Sequence, residues 1–203
     1  LEIVRQGRIG RVIQTLAVGP HRLNRATRPD WFFQRELYGG ILADIGTHQI
    51  DQFLTFAGAE DARIELAHAG NHGHPDDPGF QDFGELVLSG FSGSGAGVRG
   101  YARLDWFTPD ALPNWGDGRL TVLGTEGYIE LRKYVDVEGR PGTDHLFVVN
   151  GERSEYVNCA GIPLTYFCDT ARDVRDRTET ALSFDHAYRV SRLALQAQRI
   201  AED

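Results

Sequence analysis

Six strand-like runs, at residues 62–68, 83–88, 98–106, 120–123, 128–134 and 145–149, follow one another with only turn-forming segments between them. Asn71-His72-Gly73-His74-Pro75 and Gly139-Arg140-Pro141-Gly142 are two of those segments. Short, turn-rich links join antiparallel neighbours, because a parallel pair needs a crossover of roughly a dozen residues or more. A seventh alternating run covers 9–18, and three helical stretches complete the pattern. The sequence therefore predicts an α+β fold: a large, mostly antiparallel open sheet with helices on one face. At 203 residues and 41% hydrophobic, the chain has enough apolar material for one core and reads as one domain over 1–203.

The helical stretches carry most of the chemistry. Residues 39–51 read Gly-Gly-Ile-Leu-Ala-Asp-Ile-Gly-Thr-His-Gln-Ile-Asp, and the helix they open ends at Gly58, a natural residue just past a helix terminus. Positions four and seven apart share a helix face. Asp44, His48 and Asp51 thus form one polar stripe, continued by Thr55, opposite Leu42, Ile45, Ile50, Phe53, Phe56 and Ala57. A carboxylate beside an imidazole can orient it for proton transfer. A solvated surface helix shows the same stripe, so spacing alone leaves both readings open. Gly46 inside the helix points to close packing, and Gly39-Gly40 to a tight entry near the helix N-terminus. Two further helices close the chain. Leu164, Phe167, Ala171 and Val174 mark the first; Ala187, Val190, Leu193, Ala194 and Ala197 mark the second, with Ser183 as its N-cap and Asp185 in its first turn.

The pattern Gly-Gly-x-Leu-x-Asp-x-Gly-x-His-x-x-Asp resembles the signature of the C-terminal domain of the glucose–fructose oxidoreductase / inositol dehydrogenase / rhizopine-catabolism (Gfo/Idh/MocA) family. Gly7-Arg8-Ile9-Gly10-Arg11-Val12 resembles that domain's entry into its first strand. Gly124-Thr125-Glu126-Gly127-Tyr128-Ile129-Glu130 resembles its Gly-Thr-Glu-Gly turn, and residues 163–201 its closing helices. The resemblance implies the substrate and oligomerisation domain of an NAD(P)-dependent oxidoreductase that acts on a sugar, cyclitol or related polyol by hydride transfer. It implies His48 as the base, with Asp44 orienting it or binding a substrate hydroxyl, and a lysine partner from the family's other domain. NAD or NADP is then held mainly by that N-terminal dinucleotide-binding domain, whose Gly-rich loop and Glu-Lys-Pro motif do not occur in this sequence. The chain opens at Leu1, with residues 1–6 reading like the tail of a helix, so it is expected to be the C-terminal part of a longer enzyme and inactive alone.

Gly95-Ala96-Gly97-Val98-Arg99-Gly100 matches the dinucleotide fingerprint by letter. That fingerprint works only between a strand and a helix. Here residues 101–107 alternate like a second strand, so the glycine–serine cluster reads as a hairpin loop and no cofactor-binding residue is assigned to this chain. His68, His72 and His74 read as turn and surface residues rather than metal ligands, and no metal is assigned. Arg28, Trp31 and Asp51 are the substrate-binding candidates, Trp31-Phe32-Phe33 lying just ahead of the signature helix, although domain-core packing explains the aromatics equally well.

A net charge of −8 with no basic run argues against nucleic-acid or membrane partners, and no apolar stretch reaches transmembrane length. Cys159 and Cys168 show no metal-ligand spacing and read as reduced thiols of a cytoplasmic protein. Two rival readings stand beside the enzyme: a non-catalytic binding or assembly module on the same fold, and a metal-dependent hydrolase, which would need a third ligand the sequence does not offer. Several strands carry apolar groups at both alternating positions: Leu120, Val122 and Leu123; Tyr128, Ile129 and Leu131; Phe147, Val148 and Val149. A sheet face left open by the helices would then be apolar, and a homo-oligomer through that face is expected.

Overall fold

The computed structural model describes residues 1–93 and 95–203. A one-turn helix α1 (Glu2–Arg5) leads into β1 (Val12–Pro20). Two 3-10 turns, Arg25–Thr27 and Asp30–Phe33, and the short α2 (Arg35–Tyr38) fill the segment before the signature helix. That helix comes in two pieces, α3 (Ile41–Asp44) and α4 (Gly46–Ala57). Seven strands follow: β2 (Ala59–Gly70), β3 (Phe83–Ser92), β4 (Gly97–Asp105), β5 (Arg119–Gly124), β6 (Gly127–Arg132), β7 (His145–Asn150) and β8 (Ser154–Asn158). The chain closes with α5 (Tyr166–Asp176) and α6 (Phe184–Ile200).

All eight strands form one sheet in the order β2-β3-β4-β1-β5-β6-β7-β8. Only β1 and β4 run parallel; every other pair is antiparallel. The first strand lies mid-sheet because the helices and β2–β4 return to one of its edges while β5 takes the other. Leu16 is the hinge of the register, opposite Tyr101 on one side and Thr121 on the other.

Alternation along the strands sends Ile64, Leu86, Leu88, Ala102, Leu104, Ala17, Leu120, Val122, Ile129 and Val148 into the core. Over β1–β4 that face is covered by Ile41 and Leu42 of α3, by Ile50, Phe53, Leu54 and Ala57 of α4, and by Val190, Leu193, Ala194 and Ala197 of α6. Ile9, fully buried, extends the cover from the N-terminal segment. The helices do sit on one face, but α5 is not part of the cover. None of its residues is buried, and Phe167 and Val174 are largely exposed. Helical spacing showed that it would be a helix; it carried no information about a partner.

The two family-like glycine segments lock together. Gly10 adopts a φ of +70°, which favours glycine, and a Cβ there would lie 2.3 Å from Thr125 Oγ1. Thr125 Oγ1 accepts from the Arg11 amide at 3.1 Å, and the amides of Thr125 and Glu126 donate to the carbonyls of Arg11 and Ile9. A Cβ on Gly124 would stand 2.0 Å from the Ile9 carbonyl oxygen. The turn between β5 and β6 is therefore a structural clasp on the N-terminal segment. It also explains why β1 begins at Val12 and not at Ile9.

The outer face is mixed rather than simply apolar. Leu16, Leu66, Phe91, Leu123 and Tyr128 are exposed on it. Glu65 binds Arg63, Arg99 and Ser89 among them. At the far end Arg140 lies over the rings of Tyr156 and Phe147. The strand β8 has no counterpart among the runs expected from sequence. Its five residues, Ser-Glu-Tyr-Val-Asn, are too few and too polar to announce a strand, and pairing with β7 defines them. No helix among the described residues is long and apolar enough to cross a membrane.

Candidate active site

The expected single helix over the signature is interrupted at Ile45, where α3 gives way to α4. The backbone stays right-handed through the break (φ −90°, ψ −36°), so Asp44 and His48 still emerge on the same, solvent-facing side. Gly46 is buried at this junction, yet a Cβ would make only ordinary contacts with Leu104, Leu42 and Leu86, so close packing does not demand glycine there. Close packing is instead the business of Gly40. With φ +89°, it lets the Gln198 side chain of α6 come within 2.3–2.5 Å of where its Cβ would be. Gln198 Oε1 accepts from the Leu42 amide at 3.0 Å, so what approaches this helix N-terminus is a protein cap.

His48 borders a cavity of about 220 Å³ with His21, Gln49, Gln52, Trp115, Lys133 and Tyr134. Gln49 and Gln52 share α4 with His48, and the others come from three further parts of the fold. His21 stands just past the end of β1, its amide donating to the Asp105 carbonyl at 2.8 Å. Trp115 rides on the 107–118 loop, which lies so close to β1 that a Cβ on Gly116 would be 2.0 Å from the Pro20 oxygen. Lys133 and Tyr134 follow β6.

His21 packs between Trp106 and Trp115, with ring centroids at 5.4 and 4.8 Å. Burial pushes its pKa down, so it is neutral at pH 7. Its Nδ1 lies 3.0 Å from the Gly19 carbonyl oxygen. A carbonyl only accepts, so Nδ1 carries the proton and Nε2 is left as an acceptor. The Asp44 pKa is pushed upward by desolvation, opposed chiefly by the nearby Arg28 guanidinium, whose positive charge favours the carboxylate. Arg28 is itself fixed: its Nε donates to the Leu23 carbonyl at 3.0 Å, and its guanidinium lies over Phe32 and Trp106 at 4.5 and 5.0 Å.

Of the five residues singled out from sequence, His48 alone lines the cavity; Asp44 lies within electrostatic reach of Arg28 and His48. Trp31 stands edge-on to Phe32, 49% exposed, and does not line the cavity. Asp51 turns toward α6, where its Oδ1 lies 2.6 Å from His186 Nε2. It lines an adjoining open groove with His48, Thr47, Thr55, Tyr166 and Ser183. His21, Gln49, Trp115, Lys133 and Tyr134 were not found from sequence. Gln49 stands on the signature helix itself, and only the topology brings the other four to it.

The glycine fingerprint turns the β3–β4 hairpin. The Ser92 amide donates to the Ala96 carbonyl at 2.9 Å, the Gly95 amide to the Ser92 carbonyl at 2.7 Å, and β4 begins at Gly97. A strand follows the motif, so no helix N-terminus is presented to a pyrophosphate. Ser94 lies outside the described residues. His74 Nδ1 sits 2.8 Å from Asp82 Oδ2, and the buried Asp82 also accepts from the amides of His72 and Gly73, which makes this histidine loop a buried-carboxylate anchor. Among the described residues no group of three His, Cys, Asp or Glu is arranged to hold a metal ion, and both cysteines are unpaired.

Residues 1–130 match the model of the GFO/IDH/MocA C-terminal domain. A solved structure from Erwinia carotovora atroseptica SCRI1043, assigned as an oxidoreductase, is 50% identical over 98% of this chain and 59% of its own, with a TM-score of 0.90. The aldose-aldose oxidoreductase of Caulobacter crescentus, solved with glycerol, shares the fold at a TM-score of 0.70 and 19% identity, over 99% of this chain and 56% of that one. So does a levoglucosan dehydrogenase in complex with NADH and L-sorbose, at 0.68 and 18%, over 99% and 60%. None of the curated proteins matches. The chain spans a little under three fifths of the length of the first solved structures it resembles.

Proposed function

Because this chain belongs to the GFO/IDH/MocA family, whose C-terminal domain it matches, we propose that it is the substrate domain of an NAD(P)-dependent oxidoreductase acting on a sugar, cyclitol or related polyol. The observation that carries this reading is that His48 and neutral His21 line one small cavity while Asp44 lies within electrostatic reach of both and of Arg28. The sugar-like molecules bound to relatives, glycerol and L-sorbose, favour the same substrate class. The glycine fingerprint turns a hairpin and presents no helix N-terminus to a pyrophosphate. In this proposal the nicotinamide belongs to a separate dinucleotide-binding domain, and this chain supplies binding, orientation and proton transfer.

Oxidising a carbinol requires the hydroxyl proton to leave as the carbon gives up its hydride. His48 accepts that proton. Asp44, as the carboxylate, accepts a hydrogen bond from a neighbouring hydroxyl and offsets the imidazolium charge that forms. Arg28 keeps Asp44 ionised against the desolvation it suffers. His21 Nε2 accepts from a further hydroxyl. In the enzyme carrying both domains, His48→Ala should lower kcat by about 10²–10⁴-fold, the usual contribution of a positioned acid–base group. Turnover near that of the unaltered enzyme would remove the assignment. The same reading includes a homo-oligomer formed through the outer sheet face.

A further inference from the structure

Residues 107–118 link β4 to β5, and none of them is buried. The link is a partition between two spaces. On one side Trp115, Gly116 and Gly118 border the cavity of about 220 Å³ that His48 lines. On the other, Pro109, Ala111, Leu112 and Pro113 border an open cavity of about 690 Å³. A strip of chain with few buried contacts has little packing to fix it, so its hydrogen bonds decide where it stands. Its two ends are tied by their neighbours. The Thr108 amide donates to the His21 carbonyl at 3.1 Å, and the Gly118 carbonyl accepts from the Lys133 amide at 2.9 Å. Asp117 Oδ1 accepts from the amides of Tyr134 and Val135 at 3.0 and 2.9 Å.

Between those ends a single side chain holds the strip. Arg22 Nη2 donates to the carbonyls of Pro109 and Asp110, at 2.8 and 3.3 Å, and to that of Leu112. The Arg22 amide donates to the Trp115 carbonyl at 2.5 Å. Arg22 Nε also lies 3.5 Å from Asp110 Oδ1, a fully exposed carboxylate whose ion pair adds little. Among the described residues, 109–115 share no hydrogen bond with any part of the chain other than Arg22. A guanidinium carries five donors and no acceptor, which is why three converging carbonyls suit it. Arg22 does not itself line the cavity. It pairs with Phe107 in an isolated antiparallel bridge, where successive side chains point to opposite sides. His21 therefore turns to the cavity while Arg22 turns to the loop.

Trp115 is what this latch holds in place. Its indole is 53% exposed and stands edge-on to His21, with ring centroids 4.8 Å apart, so one apolar wall of the cavity rides on the latched segment. We propose that Arg22 is a positioning residue: by latching residues 109–115 it fixes the Trp115 indole against the cavity, and so sets how tightly that cavity binds without touching the molecule bound. The latch stands on geometry alone; its effect on affinity rests on the reading of this cavity as the substrate site.

Nuclear magnetic resonance on the 203-residue chain tests the latch without a ligand. In Arg22→Met, which keeps the stem and loses the donors, order parameters at Ala111, Leu112 and the Trp115 indole should fall from about 0.85 to below about 0.6, with β1 and β4 unchanged. Arg22→Lys, an ammonium in place of the fork, should recover part of that loss. In the unaltered chain the Arg22 Nη1 and Nη2 protons should give separate signals. One averaged signal, from a freely rotating guanidinium, would overturn the latch whether or not the variants fold. A second arm asks whether Arg22 acts through Trp115. In titrations with L-sorbose and myo-inositol followed at the His48 ring, Arg22→Met should weaken binding about fivefold, the size of one net hydrogen bond. In a Trp115→Ala background the same substitution should change affinity by less than about twofold, which a general loosening of the fold would not do. Unchanged order parameters or unchanged affinity in Arg22→Met, or an equal loss in both backgrounds, overturns the proposal. If neither probe binds the unaltered chain saturably, the substrate-site reading falls and the effect on affinity with it, while the ligand-free arm still decides the latch.

Discussion

Asp44 and Arg28 form the most informative pair at the level of single residues. Desolvation raises the Asp44 pKa and the nearby Arg28 guanidinium is the largest opposing influence. Removing that charge in Arg28→Gln should therefore raise the Asp44 pKa further. The sign for activity follows: as pH falls, Asp44 takes up its proton earlier, so the acid limb of the pH–rate profile moves to higher pH. A ¹³C titration of the Asp44 carboxyl in this chain measures the shift directly, and an unchanged or lower value would show that Arg28 does not act on it. Asp44 and His48 were legible in the sequence because four-residue spacing survives even a break in the helix at Ile45. His21 and Gln49 were not. Nothing in the spelling of residues 19–21 shows that the strand ends against the signature helix. Nor does a glutamine beside the histidine look different from a solvated one until Gly19 is seen to close over it.

Among the elements, the clasp between the N-terminal segment and the β5–β6 turn makes the sharpest demand on sequence. Gly124→Ala would push a Cβ against the Ile9 carbonyl, and Gly10→Ala would meet Thr125 while holding a left-handed backbone. Overpacking of this kind costs about 1–3 kcal/mol, and a lower denaturant midpoint at unchanged slope would report it. Gly7→Ala is a fitting control for the added methyl, because nothing lies within 4 Å of its Cβ position, although its own φ of +72° adds backbone strain. If both clasp variants matched the unaltered chain, the two segments would not hold each other. The sequence marked these segments as family-like without saying that they touch. Long-range contact between residue 10 and residue 125 is a product of strand order, which local patterning does not encode. Strand positions fared better: seven of the eight were visible as alternating or β-branched runs, and the exception, β8, is a strand only because β7 pairs with it.

For the whole molecule the decisive feature is a sheet covered on one face. The helices α3, α4 and α6 bury their apolar stripes against β1–β4, which leaves the other face to find its own environment. Across its middle, Leu66, Val87, Tyr101, Leu16, Thr121, Glu130, Phe147 and Tyr156 form one transverse row. Leu66 and Leu16 are more than a third exposed within that row. Charged side chains flank the row at Arg99, Arg103, Glu65 and Glu85; Arg99 pairs with Glu65 and Tyr101 with Glu85 across strands, and Arg103 with Asp105 along its own. Exposed leucines and aromatics in a row that also holds Thr121 and Glu130, flanked by charged groups, give a mixed surface of the kind found in contacts between proteins, and a specific dimer typically buries about 1,200–2,000 Å² in total. We therefore expect the chain to self-associate through this face at tens of micromolar. Leu16→Glu, at the central strand and outside the core, should drive it to monomer while leaving the circular dichroism spectrum unchanged. Sedimentation velocity on both proteins checks this. A strict monomer for the unaltered chain, or an oligomer indifferent to a charge at Leu16, would mean that the face is solvated and that its leucines are ordinary surface residues.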